Sequence, residues 1–365
     1  MTKYRITFTP MEPYFLGNEK TFKYPGQEND GKYGNLYFIR SEQTPSQSTL
    51  LGALRYMLLS VKRPDFSYTA EEMKLNAAAV GSAGFDISSP AVQDFGAIRK
   101  LSPVYITCGS KVLIPAPLDH NTGAAMDGDT EKYAPFSDYA EMTTPYGKKL
   151  YARDYDSKKG IAEDKYLDLD SHAVVDGSDI FLKTVRIGIN RAAEKKGLFK
   201  KEFCILADGY SFAVDAEIDE SILSDNAAAL INSGTTVYLG QNKSVFSVSF
   251  STADESIEDL VKESLKEYRH EQGSMIYVLG ETMAFKDMYE DTLWANVTVR
   301  DYRAYKRDLS RGGKVEKGSN LYRLIRAGSV FLAEEPDKWI NRLKAADGYE
   351  NAEQIGYCSV VVIGG

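Results

Sequence analysis

The chain has 365 residues, of which 43% are hydrophobic, and it carries a formal net charge of −8. This length predicts two domains with sizeable cores, and the negative charge argues against a nonspecific polyanion binder, which is normally basic overall. Residues 1–8 read as a strand rather than a signal peptide, and no apolar run reaches the about 18 residues of a membrane helix. We expect a cytoplasmic protein that has no membrane contact.

The residues that usually carry metal or catalytic chemistry are few and scattered. The three cysteines, Cys108, Cys204 and Cys358, are far apart and form no CxxC pair, so neither a disulfide framework nor a zinc site is predicted. Phosphate-loop, dinucleotide-binding, nucleophile-elbow and zinc-protease motifs do not occur in the sequence. We therefore expect no catalytic residue, no metal and no cofactor.

The N-terminal part predicts two strands followed by a helix. Residues 4–8 alternate polar and apolar side chains, residues 35–40 form a second β-like run, and a helix follows over 45–62. Thr44 is the expected N-cap, and Gln47, three residues later, completes a capping-box pattern. The start of this helix is therefore well specified.

One stripe of this helix has the features of an anion site. Ser48, Gly52 and Arg55 lie together, away from the arc of apolar side chains. The helix N-terminus supplies N–H groups that favour phosphate, and arginine adds a planar fork of donors. The alternative is an ordinary capped amphipathic helix whose arginine is solvated or salt-bridged.

The middle of the chain predicts a hairpin and then an insertion. Residues 101–106 and 111–114 resemble paired strands. From about 120 to 178 the apolar periodicity fades, and residues 119–170 hold twelve acidic against seven basic side chains. We expect irregular, acidic surface loops here, with a domain boundary at their end.

The second half follows the order β-α-β-β-α-β, which is typical of a ferredoxin-like α+β domain with an antiparallel sheet. One sheet face should be free, as in RNA-recognition motifs, although the aromatic RNP1 signature of those motifs is missing. The predicted elements are strands at 203–206 and 210–214, a helix at 221–232, strands at 236–239 and 245–250, a helix at 256–269 and a strand at 275–279.

Basic residues concentrate in two segments. Residues 186–201 contain six Lys or Arg against one acid, and residues 300–326 contain nine against three, with three tyrosines interleaved. Such asymmetry in an acidic chain suits a protein that presents one face to nucleic acid. Arg323 and Arg326 stand in an apolar run at 321–332 and need partners; a buried salt bridge is the alternative to RNA.

Four separated patches, at 12–17, 45–55, 185–191 and 323–331, resemble the RAMP superfamily of CRISPR-associated proteins in sequence and in order. Within that superfamily the chain is most similar to the third-subunit family of type III-B (Cmr) effector complexes. Short Gly and Arg runs are common singly, so the resemblance depends on their joint occurrence.

The resemblance implies an α+β fold of two ferredoxin-like (RRM-like, βαββαβ) domains with antiparallel sheets and long inserted loops, at 1–178 and 179–365. It implies a noncatalytic RNA-binding subunit acting in antiviral defence. Its partners would be the 5′ repeat-derived handle of the guide RNA (crRNA), the large polymerase-like subunit and the backbone RAMP subunit.

The candidate RNA-binding residues lie in the matching patches and in the basic loop at 311–318. Hydroxyl groups, amides and arginine forks near glycines suit an extended RNA backbone. The predicted RNA contacts are Ser46, Gln47, Ser48, Arg55, Arg186, Asn190, Arg191, Arg311, Lys314, Arg323, Arg326 and Ser329.

Two other functions stay open at this point. A RAMP endoribonuclease that processes CRISPR repeat RNA would use a histidine as general acid or base, and His120, His172 and His270 are the only histidines. A target-cutting RAMP would need a loop aspartate, for which Asp127 or Asp129 is the candidate. A stand-alone two-domain protein without an RNA partner is the third possibility.

Overall fold

The structure is a computed structural model that describes residues 1–17, 21–23, 37–63, 67–82, 84–145, 147–190, 197–240, 243–303, 305–308, 314–317 and 320–364. Its helices are α1 (Gln47–Leu58), α2 (Ala70–Val80), α3 (Gly177–Ile180), α4 (Asp225–Ser233), α5 (Ile257–Leu265), α6 (Pro336–Lys344) and α7 (Tyr349–Gln354).

The strands outnumber the helices and are short apart from β1, β13, β14, β15 and β17. They are β1 (Thr2–Pro10), β2 (Thr21–Lys23), β3 (Tyr37–Arg40), β4 (Ile98–Leu101), β5 (Tyr105–Cys108), β6 (Lys111–Pro115), β7 (Met126–Asp127), β8 (Thr130–Glu131), β9 (Tyr139–Thr144), β10 (Gly147–Ala152), β11 (Lys165–Asp168), β12 (Val174–Asp176), β13 (Phe181–Asn190), β14 (Gly197–Leu206), β15 (Tyr210–Ile218), β16 (Thr235–Leu239), β17 (Ser244–Thr252), β18 (Ser274–Val278), β19 (Thr282–Met283), β20 (Trp294–Asn296), β21 (Val299–Tyr302), β22 (Tyr305–Asp308), β23 (Lys314–Lys317), β24 (Tyr322–Ile325), β25 (Val330–Ala333) and β26 (Val360–Ile363).

A nine-stranded antiparallel sheet forms the centre of the molecule. Its order is β12-β11-β6-β5-β15-β1-β17-β16, and β4 also pairs with β15. On β1, Ile6 and Phe8 are fully buried, and Ile6 lies between Val214 of β15 and Phe250 of β17. Strict alternation along β1 places its apolar side chains on one face, which explains why this strand is central.

Two cores lie on opposite faces of this sheet. The first contains Phe8, Leu54 of α1 and Trp339 of α6. The second packs Val261 of α5 and Tyr277 of β18 against the other face. The protein is therefore α+β, and its described sheets are antiparallel except for the parallel pair β14 and β3.

The strand pairing of the second half differs from the sequence-based prediction. The elements β15, α4, β16, β17, α5 and β18 occur in the expected order. However, β1 lies between β15 and β17, and β18 joins a separate sheet of order β20-β25-β18-β26. Ile276 and Met275 of β18 belong to different cores. Both faces of this strand are therefore covered, so its sheet lacks at β18 the free face that was predicted.

The middle segment is more regular than predicted. It contains the hairpins β7–β8 and β9–β10, and β11 and β12 extend the central sheet. Tyr166 and Leu167 of β11 are buried, which gives this part of the acidic segment a core face. Strands from both sides of the expected 178/179 boundary share the central sheet, and the division into two domains stays a prediction.

Helix α1 begins two residues later than predicted. Ser46, not Thr44, is the N-cap and accepts a hydrogen bond from the Thr49 N–H. The apolar arc is confirmed, because Leu50, Leu54 and Leu58 are fully buried. Each such side chain contributes about 1.5–3 kcal/mol relative to an exposed one. Among the described helices none is both long and apolar enough to cross a membrane.

Candidate nucleic-acid interface

A cavity of about 760 Å³, here called the central cavity, opens beside the N-terminus of α1. Its wall combines the segment before and within α1, the loop before β11, the turn after β18, strand β21 and the turn between β24 and β25. Its polar rim includes Glu42, Ser46, Ser48, Glu163, Glu281, Arg300, Tyr302, Arg303 and Arg326.

The start of α1 supplies hydroxyl groups to this cavity. Ser46 and Ser48 lie 3.2 Å apart through their Oγ atoms, and the Tyr302 hydroxyl donates to Ser48 Oγ over 3.4 Å. The first turn of α1 contains no acidic side chain, so the positive end of its dipole is not compensated there. A Cβ added at Gly52 would meet no other atom within 4 Å, so this stretch of the helix is open.

Gln47 lines the cavity, but its amide is already held by backbone carbonyls. Its side chain is only 4% exposed, and its Nε2 donates to the carbonyls of Ser102 (3.0 Å) and Gly356 (3.3 Å). The predicted capping box with Thr44 is therefore wrong, because these more distant carbonyls hold the amide. Gln47 fixes the helix start against two loops rather than offering a donor to phosphate.

Arg55 lines the cavity but also ties α1 to α2. Its Nη2 donates to the carbonyl of Gly81 over 2.9 Å, and Gly81 is the C-cap residue of α2. A cation at this position is favourable because the carbonyl groups at a helix C-terminus carry partial negative charge. Burial lowers the pKa of Arg55, yet arginine stays charged at neutral pH.

Arg300 is held firmly on the opposite wall. Its Nε and Nη2 donate to the two carboxylate oxygens of Glu281, and its guanidinium lies 5.7 Å from the centre of the Tyr302 ring. Burial lowers the pKa of Arg300, but the charge and hydrogen bonds of Glu281 outweigh it and raise the pKa above its ordinary value. The ion pair with Glu281 therefore fixes the Arg300 guanidinium beside the Tyr302 ring.

Arg326 enters the cavity from the turn between β24 and β25. Its Nη2 lies 3.4 Å from Glu42 Oε2, and its Nη1 lies 3.9 Å from Glu163 Oε1. Gly328 has φ +93°, and an added Cβ there would meet the Ala116 carbonyl at 3.1 Å. This turn needs glycine because of the close backbone approach.

Ser329 and Arg323 are predicted RNA contacts that do not line the central cavity. Ser329 is fully buried; its Oγ accepts from the Thr298 N–H and donates to the Thr298 carbonyl, so it joins the turn before β25 to the segment after β20. The Arg323 side chain is 75% exposed and lies 3.9 Å from Asp301. It is not embedded in the apolar run because alternation along β24 directs it to solvent, opposite Leu324.

The described part of the basic segment at 186–201 lies on another sheet, of order β13-β14-β3-β2. Arg186 is exposed and lies 4.6 Å from the Phe203 ring centre, and Lys201, opposite it in the register, lies 3.7 Å from the ring centre of Phe15. These cations stack on aromatic rings and do not line the central cavity.

The remaining predicted contacts are only partly described. Asn190 ends β13 and pairs with Gly197, and Lys314 begins β23 opposite Asp308. Arg191 and Arg311 lie outside the described residues.

His172 and His270 join the middle segment to α5 and the region after it, whereas His120 packs within the middle segment. His120 is fully buried with its Nε2 3.2 Å from Glu131, and His270 Nε2 lies 3.4 Å from the buried Asp119. His172 Nε2 lies 3.1 Å from Ser264 Oγ. None of them lines the central cavity. Asp127 and Asp129 stand on the exposed β7–β8 hairpin, and among the described side chains no group of three or more His, Cys, Asp and Glu is arranged to hold a metal.

Five of the predicted RNA contacts line this one cavity: Ser46, Gln47, Ser48, Arg55 and Arg326. Glu42, Glu163 and the Arg300–Glu281 pair also line it and were not predicted. Arg300 and Tyr302 belong to the basic, tyrosine-containing segment already noted, so a signal existed for them. The glutamates are single acids with no pattern around them, and no sequence signal marks them.

Comparison with known protein families gives a match over nearly the whole chain. The family model described as "CRISPR-associated protein (Cas_Cmr3)" matches residues 6–364. No curated protein sequence is significantly similar.

Three solved structures illustrate the similarity at low sequence identity. A chain of a type III-B Cmr-beta complex bound to cognate target RNA is 14% identical, with 98% of this chain and 96% of that chain covered and a TM-score of 0.48. A chain of a Csm1-Csm4 cassette in complex with pppApA is 11% identical over 91% and 87%, with a TM-score of 0.36. A chain of a type III-A Csm3-Csm4 subcomplex is 13% identical over 90% and 92%, with a TM-score of 0.36.

Proposed function

Because the chain belongs to the Cas_Cmr3 family of CRISPR-associated proteins, we propose that it is a noncatalytic RNA-binding subunit of a type III-B CRISPR effector complex. In this proposal the central cavity binds the 5′ repeat-derived handle of the guide RNA, and the complex acts in antiviral defence. The observation that carries the proposal is the convergence of three distant parts of the chain, at Ser46–Ser48, Arg300 and Arg326, on one cavity.

The chemistry of the rim suits an RNA backbone. Arginine forks match phosphate geometry, and hydroxyl groups at an uncompensated helix N-terminus add donors and a favourable dipole. Tyr302 offers an aromatic ring beside Arg300, and rings of this kind stack on splayed bases. These groups bind by position and charge, and none of them needs to transfer a proton.

The proposal extends to the partners. We propose that the large polymerase-like subunit and the backbone RAMP subunit bind this protein. The β13–β14 hairpin supports a protein or RNA contact outside the cavity, because Val185 and Ile187 are half or more exposed. Exposed apolar side chains next to one another are typical of interaction surfaces.

The test is a titration of labelled repeat-derived handle RNA with the purified protein, with and without EDTA. We expect a shift in fluorescence anisotropy that weakens as salt rises, and an intact RNA in both conditions. Specific cleavage would support the RAMP endoribonuclease instead, and the absence of salt-dependent binding would support a protein without an RNA partner. The position of the three histidines outside the cavity favours the noncatalytic function.

A further inference from the structure

The central cavity contains as many acidic as basic side chains. The acids are Glu42, Glu163, Asp164, Glu281 and Asp301, and the bases are Arg55, Lys165, Arg300, Arg303 and Arg326. Surfaces that bind nucleic acid normally carry an excess of positive charge. A phosphate that enters this cavity therefore meets carboxylates that already pair with two of its cations, Arg300 and Arg326.

The two arginine pairs in the cavity differ in strength. Arg300 and Glu281 form two parallel hydrogen bonds, and both side chains are mostly buried. Arg326 lies 3.4 Å from Glu42 and 3.9 Å from Glu163, with all three side chains partly exposed. Long, solvent-accessible ion pairs contribute little to stability, so Arg326 exchanges its partners readily.

The backbone segments that carry Glu42, Glu163 and Arg326 are held in place by hydrogen bonds. The Glu42 N–H donates to Leu16 O over 2.8 Å, and the Arg326 N–H donates to Thr298 O over 2.8 Å. The loop of Glu163 is held on its far side, where the Gly177 N–H donates to Asp164 O over 2.7 Å. Only side-chain rotation is needed to part the arginine from the two glutamates.

We propose that Glu42 and Glu163 form a carboxylate gate, which occupies Arg326 in the RNA-free protein and is displaced by an RNA phosphate. This inference rests on the proposed function, since the gate regulates the same cavity. Displacing the two weak ion pairs costs any RNA about fivefold in affinity. An RNA that makes few other contacts then stays weakly bound, whereas the handle offsets this cost by engaging the rest of the rim. The gate thus selects against unrelated RNA.

The experiment compares wild-type protein with the Glu42→Gln/Glu163→Gln variant. The probes are the repeat-derived handle RNA and an unrelated single-stranded RNA of the same length, titrated at low and at high salt. We expect the variant to bind the unrelated RNA on the order of fivefold more tightly at low salt, with a smaller gain for the handle and a smaller difference at high salt. The matched control is Glu141→Gln, which removes an exposed carboxylate paired with Lys148 on the β9–β10 hairpin and leaves both affinities unchanged.

A variant cycle with Arg326→Ala shows whether the effect passes through this arginine. If the gate is real, the two glutamine substitutions gain less affinity in the Arg326→Ala background than in the wild type. An equal gain in both backgrounds overturns the gate, because the carboxylates then act only as general negative charge. If the double variant does not fold, Glu163→Gln alone carries the same comparison.

The failure of the gate and of the proposed function are distinguishable. Salt-dependent handle binding by the wild type, with no gain in a variant whose thermal unfolding is unchanged, overturns the gate and leaves the function standing. Absence of RNA binding by both proteins overturns both.

Discussion

Arg300 and Arg326 line the same cavity, but their surroundings assign them different tasks. Arg300 is locked by Glu281 and backed by Tyr302, so it shapes the wall. Arg326 has longer contacts and is partly exposed, so its guanidinium is available at little cost. The residue with the weaker ion pairs is therefore the better candidate for phosphate.

At this scale we predict that Arg326→Ala lowers handle affinity about tenfold and reduces the salt slope of binding by about one, as expected for the loss of one phosphate contact. The free energy of unfolding should stay nearly unchanged, since the lost ion pairs are partly exposed. Anisotropy titrations at several salt concentrations measure the affinity and its salt slope, and urea denaturation measures the stability.

Arg323→Ala is the matched control for this prediction. It removes an arginine from the adjacent strand, but its side chain is exposed and does not line the cavity. Equal losses of affinity in the two variants would contradict the assignment of Arg326 to the cavity.

At the scale of elements, α1 joins the cavity to the rest of the fold. Its apolar arc is buried in the first core, its start is anchored through Gln47, and its last turn reaches α2 through Arg55. The same helix thus has a packing face and a cavity face. The alternatives that the sequence left open, a core helix or an anion site, are both compatible with this placement.

We predict that Arg55→Ala lowers the free energy of unfolding by about 2 kcal/mol, the typical contribution of a hydrogen bond from a charged donor. The carbonyl of Gly81 loses the guanidinium as a partner at the end of α2. Urea denaturation measures the change.

The control for this substitution is Arg63→Ala, near the start of α2. Arg63 makes an ion pair with Glu72, and its own side chain is 43% exposed, so we expect a loss below about 1 kcal/mol. A loss as large as that of Arg55→Ala would show that the helix-end carbonyl is not what makes Arg55 important for stability.

At the scale of the whole molecule, the central sheet connects distant parts of the chain. β1, β15 and β17 are neighbours although about two hundred residues separate the first from the others. On the second core face, the middle segment packs against α5 and the region after it through Asp119, Tyr133 and His172. His120 packs beside Tyr133. The histidines are part of this packing.

This packing predicts a pH dependence of global stability. Burial lowers the pKa of His120, partly offset by the charge of Glu131, so the folded protein binds this proton less readily than the unfolded chain. The stability contributed by the neutral, buried His120 is fully present above the unfolded pKa of about 6.5. This stability is lost as pH falls toward the lower folded pKa, by at most about 1.4 kcal/mol per pH unit.

The measurement is the urea midpoint of unfolding between about pH 7.5 and about pH 5.5, the window set by the ordinary histidine pKa. We expect His120→Gln to flatten the decline below about pH 6.5, whatever its effect on the absolute midpoint. An identical slope in wild type and variant would show that His120 does not contribute to this dependence.

Much of the fold and part of the site followed from local patterns in the sequence. The buried face of β1, the apolar arc of α1 and the order of strands and helices after residue 203 are visible because side-chain periodicity is a local property. The shared pairing of arginine with nearby glycine also pointed to residues 45–55 and 323–331, and the family membership followed from the joint order of such patches.

Only the tertiary structure decided which residues far apart in the chain are in contact. Gln47 turned inward because the carbonyls of Ser102 and Gly356 are its neighbours, and Arg326 reached Glu42 across 284 positions. No periodicity records such pairs, because they depend on how whole sheets stack. The sequence by itself determined which residues carry charge and which faces are apolar, and the packing of those faces decided which charges meet in one cavity.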